Sequence, residues 1–190
     1  MFGIASKTGI DVDGEKIGNI PSIEWKAKKF PSDPWRLGDT YHTAIGQYGF
    51  QVTPVQMVRA DAGIGSKGTL VTPHIFKDID PSLLSIQTLD IDQANYTVIH
   101  EGMRQVVTAG TGGALNISNV EIAAKTGTAQ VGISKKAINS WVIGFFPYEN
   151  PKYAFTVLME NSPSSNKIGA SQAMGELFRW MALYTPEYFK

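Results

Sequence analysis

The feature that most restricts the fold is a set of three apolar runs late in the chain, Val120 to Gln130, Asn139 to Pro147 and Tyr153 to Glu160. Strands joined by so few residues can pair only antiparallel, because a parallel crossover needs a dozen or more. Glu149-Asn150-Pro151-Lys152 is a tight turn, so the second and third runs read as a hairpin. Val131 to Ile138, with Lys135 and Lys136 at the tip, joins the first run to the second, and the whole reads as an antiparallel meander. A helical pattern follows from about Ala170 to Leu183, with Ala170, Ala173, Met174, Leu177 and Met181 on one stripe. A helix laid on an antiparallel sheet makes the expected class α+β, an antiparallel β-sheet flanked by helices.

The upstream half supplies helices and loops. Lys7 to Pro21 is dense in turn formers, and its Asp11, Asp13 and Glu15 lack the spacing of a calcium loop, so the segment reads as a solvated acidic turn. Ser22 to Phe30 suggests a short basic helix around Trp25, with loop up to Trp35. Thr53 is a good N-cap and Pro54 a good first residue, which predicts a helix over about 53–64 with Val55, Val58 and Ala62 on its apolar face. Val71 to Phe76 looks extended and Asp78 to Asp90 looks like loop. Asp92 caps a second helix with a stripe of Tyr96, Ile99, Met103, Val106 and Val107 and a stop at Gly110, and 108–114 reads as loop.

Composition removes several function classes. The 190 residues are 43% hydrophobic, enough for a real core, and 17 basic side chains balance 17 acidic ones, which argues against nucleic acid as a partner. With no cysteine there is no thiol nucleophile and no thiolate metal site. His42, His74 and His100 have no triad or metal spacing and read as surface or packing residues; no cofactor is implied. The longest apolar runs fall well short of the roughly 18 residues needed to span a bilayer, and the first residues are not a signal peptide.

Chemistry concentrates on the first run. Lys125 brings a compact positive charge, Thr126 and Thr128 bring hydroxyls, and Gly127 between them lets a ligand approach the backbone. That set on an accessible strand edge suits a peptide ending in a carboxylate. A second Lys-Thr-Gly, Lys7-Thr8-Gly9, lies in the acidic turn and reads as structural. Trp141, Phe145 and Phe146 read as core, with Trp141 a candidate to pack beneath the Lys125 strand.

Four stretches, taken in order, carry a family resemblance. They are Lys7 to Asp11 with Gly14-Glu15, Gly46-Gln47 with Thr53-Pro54-Val55-Gln56, Lys125 to Gln130, and Ser140 to Pro147. With them the chain resembles the C-terminal part of the transpeptidase domain of a class B penicillin-binding protein, of the penicillin-binding protein 2-like group. It departs from the family pattern at Tyr48, where the family usually has glycine after Gly-Gln. The family's Ser-x-x-Lys and Ser-x-Asn motifs do not occur upstream of Lys125; Ser164-Ser165-Asn166-Lys167 satisfies both patterns but follows the strand, in the wrong order.

The resemblance implies an incomplete penicillin-binding-protein fold, a fragment whose nucleophilic serine lies N-terminal to Met1. The implied activity is D,D-transpeptidation of D-alanyl-D-alanine stem peptides of peptidoglycan through a serine acyl-enzyme, with β-lactams held by the same groups. Lys125 would set a positive field for the terminal carboxylate and join the proton network, Thr126 and Thr128 would hydrogen-bond that carboxylate, and Gly127 would admit the peptide as an added strand. The backbone N–H of Thr128 would form half of an oxyanion hole. The parent protein would sit in the bacterial inner membrane with this domain on the outer side, beside a glycosyltransferase and cell-shape proteins. A non-catalytic stem-peptide-binding or scaffold module is the alternative; a D,D-carboxypeptidase or β-lactamase relative is disfavoured by the 46–56 segment.

Overall fold

A computed structural model describes residues 1–132 and 136–189. Lys135, expected at the tip of the connection between the first two apolar runs, lies outside the described residues. The runs form β3 (Ala123–Val131), β4 (Ala137–Phe146) and β5 (Tyr153–Pro163), an antiparallel meander in the order β3-β4-β5. Lys125 stands opposite Ile143, Gly127 opposite Trp141, and Trp141 opposite Leu158. Period-two alternation gives the sheet two different faces. Ile122, Ala124, Val142, Phe146 and Phe155 pack beneath α5 (Ala170–Tyr184) with Met174 and Phe178. On the opposite face Ala123 and Phe145 meet Met103 of α4 (Gln93–Ala109), and α3 (Pro54–Gly65) brings Gly65 against the Phe145 ring.

The helix starts follow their capping chemistry. Thr53 and Gln56 form a reciprocal capping box on α3 with Pro54 at its first position, and Asp92 accepts the Ala94 N–H at the start of α4. α1 (Ile23–Lys29) lies where the basic helix was expected, capped by Ser22. α2 (Leu37–Ala44) was not anticipated. It is fixed by a long-range ion pair that no local pattern announces: Asp39 accepts the Arg36 N–H and a 2.6 Å hydrogen bond from buried Lys26 of α1. Burial disfavours the Lys26 ammonium, but its bonds to Asp39 and Asp33 outweigh that and raise its pKa. The Lys26 hydrogen bond in turn holds the Asp39 carboxyl below the usual range.

The expected stripes hold at Tyr96, Met103 and Val107 of α4 and at Ala170 and Met174 of α5, whereas the α3 stripe turns by about one position. On α3 the buried residues are Gln56, Ala60, Asp61, Gly63 and Gly65, while Val55, Val58 and Ala62 are half-buried. Gln56 is inside because its amide donates to the carbonyls of Ser6 (2.7 Å) and Ile17 (2.9 Å), pinning the N-terminal loop to the helix. On α4, His100 replaces Ile99, which is exposed; the His100 Nε2 is 2.8 Å from the Ile64 carbonyl and its ring lies 4.6 Å from that of Phe145. On α5, Ala173 and Leu177 face solvent, and Phe178 is the buried anchor, edge-on to Phe146 and Phe155. Asp78 to Asp90 is not wholly loop: β2 (Ile86–Thr88) pairs antiparallel with β1 (Thr69–Val71), so the extended stretch begins at Thr69 and its strand ends at Val71. A three-residue strand is too short to show alternation. A short 3₁₀ turn at Gly113–Leu115 closes the loop after α4.

Asp61 is fully buried on α3, and neither of its carboxyl oxygens has a hydrogen-bond partner among the described residues. Burial pushes its pKa up to about 8, relieved only in part by the nearby backbone N–H of Gly144. Between about pH 4 and 8 the folded state therefore keeps a proton that the unfolded chain releases, and stability is lost as pH rises through that window, by up to about 1.4 kcal/mol per pH unit. Urea midpoints measured from pH 5 to 8 are expected to fall for the native chain and to fall much less for Asp61→Asn. Parallel pH profiles for the two would contradict this assignment.

Candidate active site

β3 is an edge strand, so its margin away from β4 has no partner strand among the described residues. Lys125 Nζ folds back to donate to the Thr126 carbonyl, and Gln47 Nε2 donates at 3.4 Å to the Thr128 carbonyl. Both acceptors are engaged from outside the β3–β4 ladder. Because the N–H and C=O of one antiparallel residue point to the same side, the backbone N–H groups of Thr126 and Thr128 also face the free margin. The Lys125 side chain is exposed.

The margin borders a groove of about 820 Å³. Its floor is the sheet face carrying Trp141, Ile143 and Leu158, and its far wall is the loop 45–53 together with Met57 of α3. Lys125, Thr126, Gly127 and Thr128 all line it, so the four residues singled out by sequence come together in one place. By alternation Lys125 and Gly127 belong to the floor side and the threonine side chains to the α5 side of the margin. The Thr126 hydroxyl shares a 2.6 Å hydrogen bond with that of Thr111, which lies in the loop after α4. A Cβ built at Gly127 meets only the Trp141 Cβ at 3.6 Å, ordinary contact. Phe145 and Phe146 are core as expected, whereas Trp141 is half-buried and stands beside Gly127 in the groove.

The other candidates fall elsewhere. In the N-terminal copy the Thr8 hydroxyl and N–H both bind Glu15 at 2.6 Å, and Thr8 is buried. Burial opposes the Glu15 charge, but the Thr8 bonds prevail and hold its carboxyl below the usual range. Asp11 accepts the N–H groups of Ile75 and Phe76, at 2.8 and 2.9 Å. These two acids are thus backbone clamps, and the expected solvated turn is corrected at Asp11 and Glu15. Ser164-Ser165-Asn166-Lys167 forms the exposed turn after β5, where Ser164 N–H donates to the Lys136 carbonyl and Asn166 caps Ile168. Sequence reasoning assigned no role to Gln47, Leu158 or Glu160, which also line the groove. The Gly46-Gln47 pair was visible as a motif, but its contact with a strand some 80 residues later was not.

The strand margin, set in a sheet with a helix behind and a groove in front, is open to an added peptide strand. Comparison makes this specific. The family model of the penicillin binding protein transpeptidase domain matches residues 1–179. The peptidoglycan D,D-transpeptidase MrdA of Haemophilus influenzae is 34% identical over 196 residues, covering 90% of this chain and 30% of that protein. Penicillin-binding protein PBP2 of Helicobacter pylori, solved in complex with MreC, is 30% identical with a TM-score of 0.78, covering 97% of this chain and 34% of that one. PBP2 of Pseudomonas aeruginosa in complex with WCK 5153 is 32% identical with a TM-score of 0.75, over 95% of this chain and 42% of that one. The chain belongs to the penicillin-binding protein transpeptidase family, in its class B, penicillin-binding protein 2-like branch. It spans less than half the length of each of these relatives.

Because a methyl group fits at position 127, Gly127→Ala is expected to leave the unfolding free energy nearly unchanged, within about 0.5 kcal/mol, while obstructing a peptide laid along the margin. Thermal unfolding, together with titration of a D-alanyl-D-alanine peptide into the full-length protein, reads both effects. Undiminished peptide binding would show that the ligand does not approach Gly127.

Proposed function

We propose that this chain is the substrate-gripping part of a peptidoglycan D,D-transpeptidase, whose acylated serine comes from outside these 190 residues. The observation that carries the reading is the shared margin: the Lys125 ammonium and the outward peptide groups of Thr126 and Thr128 line one groove. The stem peptide adds to β3 as an antiparallel or parallel strand, and Gly127 allows its close approach. Lys125 supplies positive potential to the terminal carboxylate, and the Thr126 and Thr128 hydroxyls hydrogen-bond it.

The serine attacks the penultimate alanyl carbonyl, and the Thr128 N–H stabilises the oxyanion together with the serine's own N–H. Collapse releases D-alanine, and an amine from a neighbouring strand then takes the acyl group. Lys125 takes part in the proton transfers around the serine. β-Lactams occupy the same margin. The relative named as a peptidoglycan D,D-transpeptidase supports this substrate class.

No helix among the described residues is long and apolar enough to cross a membrane. We place the domain on the outer side of the inner membrane, held there by the parent protein's anchor. The Helicobacter relative's complex with MreC supports a cell-shape partner, and a glycosyltransferase is the natural companion, since cross-linking consumes newly made strands.

Labelled penicillin is expected to acylate the full-length protein and to leave the isolated 190-residue chain without an adduct by intact-mass spectrometry. In the full-length protein Lys125→Ala is expected to slow acylation roughly a hundredfold or more with unchanged circular dichroism. Absence of any adduct on folded full-length protein would favour a stem-peptide-binding scaffold instead. Near-normal acylation of the alanine variant would remove Lys125 from the mechanism.

A further inference from the structure

Tyr48 occupies a conformation that side chains rarely adopt, with φ of 62°. Such a residue persists only where its surroundings hold it there. They do so on several sides: its ring lies 5.8 Å from Trp25, 6.2 Å from Trp35 and 6.4 Å from His42, and the Lys26 ammonium is 5.5 Å from its centroid. Lys26 is itself locked between Asp39 at 2.6 Å, Asp33 at 3.0 Å and the Pro34 carbonyl at 3.0 Å. The α1–α2 arm is thus a socket for one ring.

The next residues are held as firmly. Trp25 would lie 2.8 Å from a Cβ at Gly49, and Asn19 brackets the loop with reciprocal 2.8 Å bonds to Gln51 and a third to the Gly49 carbonyl. On the other side of Tyr48, Gln47 extends its amide to the Thr128 carbonyl of the free margin.

We propose that Tyr48 is a positioning residue, a plug that transmits the rigid α1–α2 arm to the groove wall and sets the height of Gln47 over β3. This rests on the functional reading above. An arriving peptide strand needs the Thr126 and Thr128 backbone groups, so Gln47 must yield the Thr128 carbonyl and lie across the incoming strand. A loop held by the Tyr48 ring can make that exchange without losing its shape. The role is therefore in capturing the ligand and not in the bond-making step.

In the full-length protein, Tyr48→Ala is expected to raise the apparent dissociation constant of labelled penicillin roughly tenfold while the acylation rate constant stays within about twofold. Tyr48→Phe keeps the ring and loses only the hydroxyl that bonds Lys26 and Asp39, and is expected to weaken capture by no more than about threefold; a loss as large as that of alanine overturns the proposal. Tyr48→Gly separates plug from backbone: it suits the positive φ but empties the socket, and is expected to be as weak as alanine. Recovery of binding by the glycine variant, or normal binding by the alanine variant, overturns the proposal. Should Tyr48→Ala fail to fold, Trp35→Ala opens one wall of the socket and is expected to weaken capture alone; unchanged capture there overturns it too. If the native protein forms no adduct at all, the functional reading fails, and hydrogen exchange decides the positioning role by itself. Amides 46–51 of this chain are then expected to exchange faster in the alanine and glycine variants, with α3 and β3 unchanged, and equal exchange overturns the proposal.

Discussion

The register of β3 against β4 is the constraint on which the rest depends. A strand has only two faces, and a slip of one residue exchanges them. Ile122 and Ala124 lie under α5 with Val142 and Phe146, and this contact fixes the phase of the whole strand. Phase alone then places Lys125 and Gly127 on the groove side and the outward peptide groups of Thr126 and Thr128 on the margin. The site is a consequence of core packing at Ile122 and Ala124, immediately upstream of the lysine. A slipped strand would bury an ammonium against Phe178, at a cost of several kcal/mol.

The groove is assembled from two kinds of structure. One side is sheet, rigid because both faces are covered along part of its length. The other is the irregular loop 45–53, which has no ladder of its own and borrows order from α1, α2 and Asn19. Its backbone is held by aromatic contacts and by a buried lysine with two acidic partners. The two sides meet at the long hydrogen bond from Gln47 to Thr128, the contact that an incoming strand would replace.

The meander, the terminal helix, the two capped helices and the Lys125 to Thr128 cluster were legible in the sequence because each rests on local rules: period-two alternation, short connections, capping pairs and a motif on one strand. What was not legible depends on distant partners. α2 is held by Lys26, the socket of Tyr48 draws on residues from Trp25 to His42, and β2 exists only because β1 lies beside it. Single stripe positions changed where polar residues found buried partners, as His100 did at the Ile64 carbonyl and Gln56 at Ser6 and Ile17. The displacement of Leu177 by Phe178 is subtler: two neighbouring apolar residues compete for one site, and the aromatic cluster around Phe146 selects the larger.

The most direct measurement is the structure of the full-length protein carrying a covalent penicillin adduct. The account predicts the adduct lying along the β3 margin, its carboxylate within hydrogen-bonding distance of the Thr126 or Thr128 hydroxyl and facing the Lys125 ammonium, with its acyl oxygen on the Thr128 N–H. An adduct seated away from that margin, or one whose carboxylate is bound by other residues while Lys125 remains on the Thr126 carbonyl, would contradict it.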